Sequence, residues 1–338
     1  MGRQRDLTAA VTVYDVAEKA GVSIATVSRV LNAPERVREA TRARVLAAID
    51  ALGYEPRVEA VERARKGSRS IGVLAPFFTQ PSFTERLSGI SATLAHSPYE
   101  LVIYSVDSAA RRDGYLNSLA VTRRLDGLIV ISLEFEDRLV QRLIERRLET
   151  VVIEFYHRDL SSITINDEAG GRMVAEYLLA RGHRRFGFVG DTDLPDYAIY
   201  PSDRRLRGFR RALEEAGLHL PDEQVALAPH GLEQARHETH RLLDLSEPPT
   251  AIFAASDTQA LGVLKAARER GVAVPEQLAV VGFDDLEIAD YVGLTTVRQH
   301  LKESGRIAVE LLLSRLADRS RPVQHVELPL TLVRRFTA

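Results

Sequence analysis

The segment TVYDVAEKAGVSIATVSRVLN, residues 12–32, constrains the fold of this chain more than any other stretch. It predicts two short helices, Val13–Ala20 and Ile24–Leu31, joined by a tight turn. Thr12 precedes the first helix and has a side chain favoured at N-caps. Gly21 stands where the chain leaves that helix, and glycine tolerates the positive φ that such an exit often needs. The segment therefore predicts a helix-turn-helix unit.

The second of these helices, which Ser23 is expected to cap, has two different faces. At about 100° per residue, one face is apolar and the other is small, hydroxylic and cationic. The apolar face holds Val27, Val30 and Leu31, with Ala25 and Arg29 opposite and Ile24, Thr26 and Ser28 on the flanks. The polar face suits a groove lined by phosphates and base edges, but such residues also fit a plain solvent-facing surface.

The same segment resembles the DNA-binding headpiece of the lactose-repressor (LacI) family of bacterial transcription regulators. The family signature is a Val-Ala-x-x-Ala-Gly-Val-Ser run followed by Thr-Val-Ser-Arg-x-Leu-Asn, which here comprises Val16, Ala17, Ala20–Ser23, Thr26–Arg29, Leu31 and Asn32. The resemblance extends over nearly the whole chain. It implies a transcriptional repressor that binds double-stranded operator DNA as a homodimer and responds to a small effector.

We expect the headpiece to contact DNA through two sets of side chains. Phosphate contacts are expected from Thr12, Tyr14, Ser23, Thr26, Ser28, Asn32 and Thr41. The positions facing base edges are Ile24, Ala25 and Arg29. The first two can touch thymine methyl groups but cannot hydrogen-bond, so Arg29 is expected to carry most of the polar readout, at guanine. One recognition helix reads too few base pairs for useful specificity, which favours a dimer on a pseudo-palindromic operator.

A third helix, Glu39–Leu52, is expected next, and Gly53 would end it. The highly charged stretch Arg57–Lys66 then forms a linker. The family has a hinge helix at this place, which orders in the minor groove and inserts a leucine where this chain has Arg63. An arginine cannot wedge between base steps, although it suits a narrow minor groove. We therefore expect a hinge that contacts the groove without a leucine wedge or that stays loosely ordered.

From Ser70 onward, short apolar runs alternate with amphipathic helical stretches, which predicts parallel sheets covered on both faces. No G-x-G-x-x-G opens these helices, so dinucleotide binding has little support. The order of elements resembles the family's periplasmic-binding-protein-like core of two doubly wound parallel-sheet subdomains. The expected organisation is an all-α headpiece at 1–56, a hinge at 57–69 and an α/β effector-binding and dimerisation core at 70–338. Its subdomains are expected at about 70–166 with 300–326, and at about 167–299 with 327–338.

The resemblance places an effector in the cleft between the subdomains, at the carboxyl ends of the strands. The residues expected to bind it are Phe77, Phe83, Glu154, Arg205, Ser256, Asp257, Asp284 and Gln299. This polar set favours a sugar, whose apolar face would pack on an aromatic ring. Asp257 would serve equally well as a helix cap, and Phe77 as a core residue.

Two other modes of regulation stay open. A purine or nucleoside is one alternative. The other is a degenerate cleft in a regulator controlled by a protein partner, because relatives usually have asparagine at Ser256 and often proline at Gly293.

Composition and missing motifs limit the classes of protein to which this chain can belong. The 338 residues suffice for two or three domains, and a net charge of −2 does not by itself indicate nucleic-acid binding. Cysteine, long apolar spans and an apolar leader are missing from the sequence, so we expect a cytoplasmic protein with no membrane partner. The signatures G-x-S-x-G, H-E-x-x-H and the P-loop are also missing, and we expect neither an enzyme nor a cofactor. His237 and His240 fit a solvated helix face better than a metal site, because we expect no third ligand nearby.

Overall fold

The computed structural model describes residues 11–32, 36–54, 69–122, 124–192, 195–199 and 201–338. Arg63 and nearly all of the expected hinge lie outside these ranges, as does the side chain of Asn32. The described residues form a helical headpiece followed by two sheets with helices packed against them.

Three helices build the headpiece: α1 Val13–Ala20, α2 Ile24–Asn32 and α3 Glu39–Leu52. Their predicted bounds are confirmed, except that α2 runs one residue further than expected. Gly21 has a φ of 63°, as the tight turn requires. The backbone N–H and the hydroxyl of Thr12 both donate to the Asp15 carboxylate, at 2.9 and 2.7 Å. Ser23 Oγ accepts a hydrogen bond from the Thr26 N–H at 3.2 Å, which caps α2.

The first sheet has six strands in the order β11-β5-β4-β3-β1-β2, and all its neighbouring pairs are parallel. The strands are β1 Arg69–Ala75, β2 Tyr99–Ser105, β3 Gly127–Ile131, β4 Glu149–Ile153, β5 Ser161–Thr164 and β11 His325–Glu327. Successive residues of β3 enter two different apolar clusters, so both faces of this sheet are buried. The helices α4 Pro81–Leu94 and α12 Leu301–Ala317 pack on one face, and α5 Ala109–Thr122 and α6 Asp137–Glu145 pack on the other.

The second sheet has the order β12-β10-β9-β8-β6-β7, and only its β10–β12 pair is antiparallel. Its strands are β6 Phe186–Asp191, β7 Val225–Ala228, β8 Ala251–Ala254, β9 Ala279–Asp284, β10 Thr295–Arg298 and β12 Thr331–Val333. Its helices are α7 Asp167–Ala180, α8 Ser202–Glu215, α9 Leu232–Leu243, α10 Asp257–Glu269 and α11 Glu287–Tyr291. The predicted fold class, an all-α headpiece with two doubly wound subdomains, is confirmed. The short strands β7 and β11 were not predicted from the sequence.

The headpiece contacts the first subdomain. Asp50 of α3 forms ion pairs with Arg142 and Arg146, the second at 2.9 Å. Val121 of α5 packs into the apolar cluster of the headpiece. In the described ranges, no helix has both the length and the apolar character that a bilayer crossing requires.

Candidate functional site

Helix α2 presents the two faces that its sequence predicts. Val27 and Val30 are fully buried against α1 and α3, while Ala25, Ser28 and Arg29 are exposed. Within the described part of the chain, no hydrogen bond or ion pair of Arg29 is found. The guanidinium of Arg29 therefore stands on the surface with its donors available to a partner.

The other expected DNA contacts are exposed to different degrees. Tyr14 of α1 is 68% exposed and Ile24 of α2 is 40% exposed. Ser23 is exposed, and its hydroxyl lies 2.9 Å from the Thr26 hydroxyl. Thr12, Thr26 and Thr41 are half-buried. The contacts of all these residues with DNA stay predictions, as do those of Asn32 and Arg63, whose side chains are outside the described residues.

A cavity of about 340 Å³ lies at the carboxyl ends of strands from both sheets. That volume is at the lower end of the range of about 300–1,000 Å³ found for ligand sites. Seven of the eight predicted effector residues line it, namely Phe77, Phe83, Glu154, Arg205, Ser256, Asp284 and Gln299. The position is the one expected for a ligand in doubly wound α/β folds.

Close helix crossings hold one arginine of each subdomain at this cavity. In the first subdomain α4 crosses α12, and a Cβ on Gly305 would lie 2.2 Å from the Arg86 carbonyl oxygen. In the second subdomain α7 crosses α8, and a Cβ on Gly171 would lie 1.9 Å from the Arg205 carbonyl oxygen. Only glycine lets the two backbones approach so closely. The backbones that carry Arg86 and Arg205 are thereby fixed.

The first-subdomain wall of the cavity is a buried ion pair beside two aromatic rings. The Arg86 guanidinium donates to the Glu154 carboxylate, which also accepts from the Ser132 hydroxyl. Burial alone raises the pKa of Glu154, but the Arg86 charge and the Ser132 hydrogen bond together hold it below its usual value. Phe77 and Phe83 meet edge to face, with ring centroids 6.0 Å apart.

The second-subdomain wall is organised by Arg205. Its Nε donates to Asp167 at 2.9 Å, and its Nη1 donates to the Ala255 carbonyl oxygen. The guanidinium carbon lies 3.6 Å from the centroid of the Phe283 ring, which adds a cation–π contact. Nη1 is also 3.9 Å from Asp284. Burial raises the pKa of Asp284 to about 6, against the opposing effect of the Arg205 charge.

Gln299 joins the two walls. It follows β10 and leads into α12, so it lies where the chain crosses from the second subdomain to the first. Its Oε1 accepts from Arg86 at 3.1 Å, and its Nε2 donates to Asp284. A ligand that displaces or adds to these bonds changes contacts in both subdomains.

Backbone strain also marks this cavity. Ser132, Glu154 and Asp284 lie at strand ends with φ values of 54°, 67° and 123°, which residues other than glycine rarely adopt. Such conformations cost about 1–3 kcal/mol each and gather at functional sites. All three residues line the cavity, which supports its assignment independently of any motif.

The structure does not place Asp257 in the cavity lining, which corrects the expectation that it contacts a ligand. Its carboxylate is fully buried and accepts from the Leu286 N–H at 2.7 Å and from the Thr296 hydroxyl at 2.5 Å. Burial and the nearby Asp284 charge raise the pKa of Asp257 well above its usual value. The cap of α10 is Ser256, whose Oγ accepts from the Gln259 N–H. Asp257 therefore supports the loop that carries Asp284.

Several polar lining residues were missed from the sequence, among them Arg86, Ser132, Asp191 and His230. Ser132 directly follows β3 and Asp191 ends β6, and their position at strand carboxyl ends was a usable signal. Arg86 offered no comparable signal, because an arginine on an amphipathic helix is more often solvated. His230 follows the unpredicted strand β7.

No cluster of three or more His, Cys, Asp or Glu side chains suited to a metal ion is found among the described residues. His240 Nε2 is instead 2.9 Å from the Glu269 carboxylate, and the Arg270 Nε donates to His240 Nδ1. This histidine therefore joins α9 to α10 through hydrogen bonds.

Comparisons with known proteins agree with the two parts of the structure. Residues 12–57 match the family model described as bacterial regulatory proteins, lacI family. Residues 175–338 match the model of a periplasmic binding protein-like domain. The chain is 33% identical over 331 residues to the HTH-type transcriptional repressor PurR of Photorhabdus laumondii, covering 96% of each chain. It is also 33% identical over 314 residues to the HTH-type transcriptional repressor CytR of Escherichia coli, covering 91% of this chain and 90% of the relative.

Solved structures of relatives superpose over most of the chain. A complex of the transcriptional regulator CelR with cellobiose has a TM-score of 0.69 and 28% identity, covering 97% of this chain and 100% of that one. A LacI family transcriptional regulator from Enterococcus faecium with bound ribose has a TM-score of 0.69 and 26% identity, covering 80% and 98%. The chain therefore belongs to the LacI family of bacterial regulatory proteins, and it is a DNA-binding transcriptional repressor with an effector-binding core.

Proposed function

We propose that this repressor binds a neutral sugar in the cleft between its subdomains, and that the bound sugar changes its affinity for operator DNA. The observation that carries the proposal is that both arginines of the cavity already form ion pairs with carboxylates of the protein. Arg86 is paired with Glu154, and Arg205 is paired with Asp167, all within the protein. An anionic effector would have to compete with these carboxylates, whereas sugar hydroxyls can donate to Glu154, Asp191 and Asp284.

The shape of the lining supports the same class of ligand. Phe77 and Phe83 stand nearly perpendicular, at 83°, so they offer one ring face and one edge. That arrangement gives a packing surface for the apolar face of a sugar ring, but no parallel slot for a flat purine. Two relatives of known structure contain cellobiose and ribose. An open cavity with a polar, strained lining also speaks against a degenerate cleft.

The proposed switch works by linkage. A sugar that bonds the lining from both sides favours the subdomain arrangement in which those bonds are best made. If the two arrangements place the headpieces differently, sugar affinity and operator affinity change each other by the same factor. The cleft acts in this scheme as a binding site and performs no chemical conversion.

We further propose that the chain works as a homodimer. Four large apolar side chains on or beside α11 are exposed, namely Ile288, Tyr291, Val292 and Phe336. Phe336 packs against the Gly293 backbone beside this helix. Exposed apolar side chains that lie close in sequence suit burial against a second copy. Two copies would present two recognition helices to the half-sites of one operator.

Replacing Arg29 by alanine should weaken binding to the cognate operator by about 1–3 kcal/mol, because a bidentate contact with guanine is lost. The measurement is the Kd for operator and for scrambled DNA at one salt concentration, by fluorescence anisotropy. Arg29→Lys is the matched control, since it keeps the charge but not the fork of donors. An equal loss on scrambled DNA would assign Arg29 to phosphate binding alone.

Selection of DNA fragments by the full chain from a random pool, followed by footprinting, tests the whole proposal. The expected site has two half-sites related by a pseudo-twofold axis, and a neutral sugar should change the operator Kd at least fivefold. A single half-site would contradict the homodimer. An operator Kd that no neutral sugar changes would contradict the sugar effector.

A further inference from the structure

The cavity contains a histidine–aspartate pair outside the network of the two arginines. Asp191 is the last residue of β6, and His230 lies in the loop between β7 and α9. Both side chains line the cavity, and Asp191 is buried. His230 Nδ1 lies 3.0 Å from Asp191 Oδ1.

Neighbouring hydrogen bonds determine where the proton of this pair lies. The Ser256 hydroxyl accepts from the Gln259 N–H and donates to Gln259 Oε1, which orients that side-chain amide. Gln259 Nε2 then donates to Asp191 Oδ1 at 2.9 Å. Asp191 Oδ1 is therefore an acceptor, so His230 Nδ1 must carry the hydrogen. His230 Nε2 is left as an acceptor when the ring is neutral and as a donor when it is protonated.

Nothing in the described ranges hydrogen-bonds to His230 Nε2, and the imidazole is 24% exposed at the cavity. The charged groups that act on this ring are Asp191 of β6, Asp284 at the end of β9 and Arg205 of α8. Burial alone lowers the pKa of His230, but the hydrogen bond and charge of Asp191 outweigh burial and raise it above its ordinary value. This shift favours the protonated ring, which donates from Nε2.

We propose that His230 is a specificity-determining contact of the effector, which donates from Nε2–H to an oxygen of the sugar and so ties sugar affinity to pH. The inference rests on the proposed sugar effector. A sugar that accepts this hydrogen bond binds the protonated ring more tightly than the neutral ring. The contribution is thus present below the pKa of His230 and is lost as the pH rises through it.

Asp284 titrates in the opposite sense. Its carboxyl group accepts hydrogen bonds from sugar hydroxyls most strongly when it is ionised, and burial raises its pKa to about 6. Sugar affinity should therefore fall as the pH drops through about 6, and it should fall again as the pH rises through the pKa of His230. The affinity is expected to peak between these two titrations.

The test is calorimetric titration of the full chain with a panel of neutral mono- and disaccharides that includes ribose and cellobiose, from about pH 5 to about pH 9. Above the affinity maximum, the wild-type Kd should rise about tenfold. In His230→Gln this rise should vanish, because glutamine does not titrate, while the loss of affinity at low pH should remain. Asp191→Asn removes the charge that favours the imidazolium, so the rise should begin at lower pH. His96→Gln, at an exposed position after α4, is the control and should behave as wild type.

Nitrogen NMR of the ligand-free protein, with His230→Gln for assignment, checks the arrangement independently of any sugar. The neutral ring should carry its hydrogen on Nδ1, and hydrogen on Nε2 would overturn the proposal. A sugar whose affinity falls at low pH but does not fall again at any higher pH up to about pH 9 would overturn the His230 contact and leave the sugar effector standing. Failure of the whole panel to bind at every pH would contradict the sugar effector, and this contact with it.

Discussion

Arg205→Ala is expected to lower the free energy of unfolding by about 3–5 kcal/mol and to abolish stabilisation by the effector. Arg205 is the buried partner of Asp167 and lies 3.9 Å from Asp284. Alanine would leave two buried carboxyl groups without their cation, and burial without that cation raises the pKa of both further. The Ala255 carbonyl oxygen would also lose the donor that it has at Arg205 Nη1.

Urea unfolding at neutral pH, with and without the effector, measures both effects. Arg207→Ala is the matched control, because Arg207 lies on the same helix and forms an exposed ion pair with Glu168 at 3.0 Å. Such a surface pair contributes only about 0–1 kcal/mol. A loss below about 1 kcal/mol for Arg205→Ala would show that its ion pairs do not hold this wall together.

Gly171→Ala is expected to destabilise the second subdomain by about 3 kcal/mol or more, beyond the usual cost of overpacking. The added methyl group would lie 1.9 Å from the Arg205 carbonyl oxygen and 2.9 Å from the Phe209 backbone nitrogen. Backbone atoms in two packed helices cannot move aside as a flexible side chain can. The crossing of α7 and α8 would have to open, which would shift Arg205 in the cavity.

Gly208→Ala offers a second test at the same crossing, since its Cβ would lie 1.9 Å from the Glu168 carbonyl oxygen. Gly114→Ala in α5 is the control: its Cβ would meet only the end of the Arg42 side chain, at 3.1 Å. Replacing this helical glycine by alanine should leave the free energy of unfolding unchanged or raise it by up to about 1 kcal/mol. Equal unfolding free energies for the Gly171 and Gly114 variants would contradict the proposed importance of the close crossing.

The headpiece was predictable because its structure follows from local sequence. Capping residues, a glycine with positive φ and a helical period set the bounds of α1, α2 and α3 without reference to the rest of the chain. The alternation of strands and helices likewise gave the fold class. The strands β7 and β11 escaped notice because each is short and partly exposed.

The cleft was only partly predictable, because its geometry depends on contacts between distant segments. Glu154 and Asp284 each end an apolar run, and the resemblance to the family indicated both as effector contacts. Arg86 could not be found in the same way, because its role follows from the crossing of α4 with α12. Its hydrogen-bond partner Gln299 lies 213 positions further along the chain. The prediction for Asp257 was wrong because a carboxylate at the start of a helix can either contact a ligand or accept hydrogen bonds within the protein. Only its observed partners, Leu286 and Thr296, distinguish the two.

A thermal-shift screen of the purified chain against neutral sugars, sugar phosphates, nucleosides and purines tests the central claim most directly. A neutral sugar at 100 times its Kd should stabilise the protein by about 2.7 kcal/mol, which raises the melting temperature visibly. The same sugar should have no effect on Asp284→Ala, because that variant lacks a carboxylate for the hydroxyls. Stabilisation by a purine, a nucleoside or a sugar phosphate in place of any neutral sugar would contradict the account. A screen without any hit would contradict it too and would favour control by a protein partner.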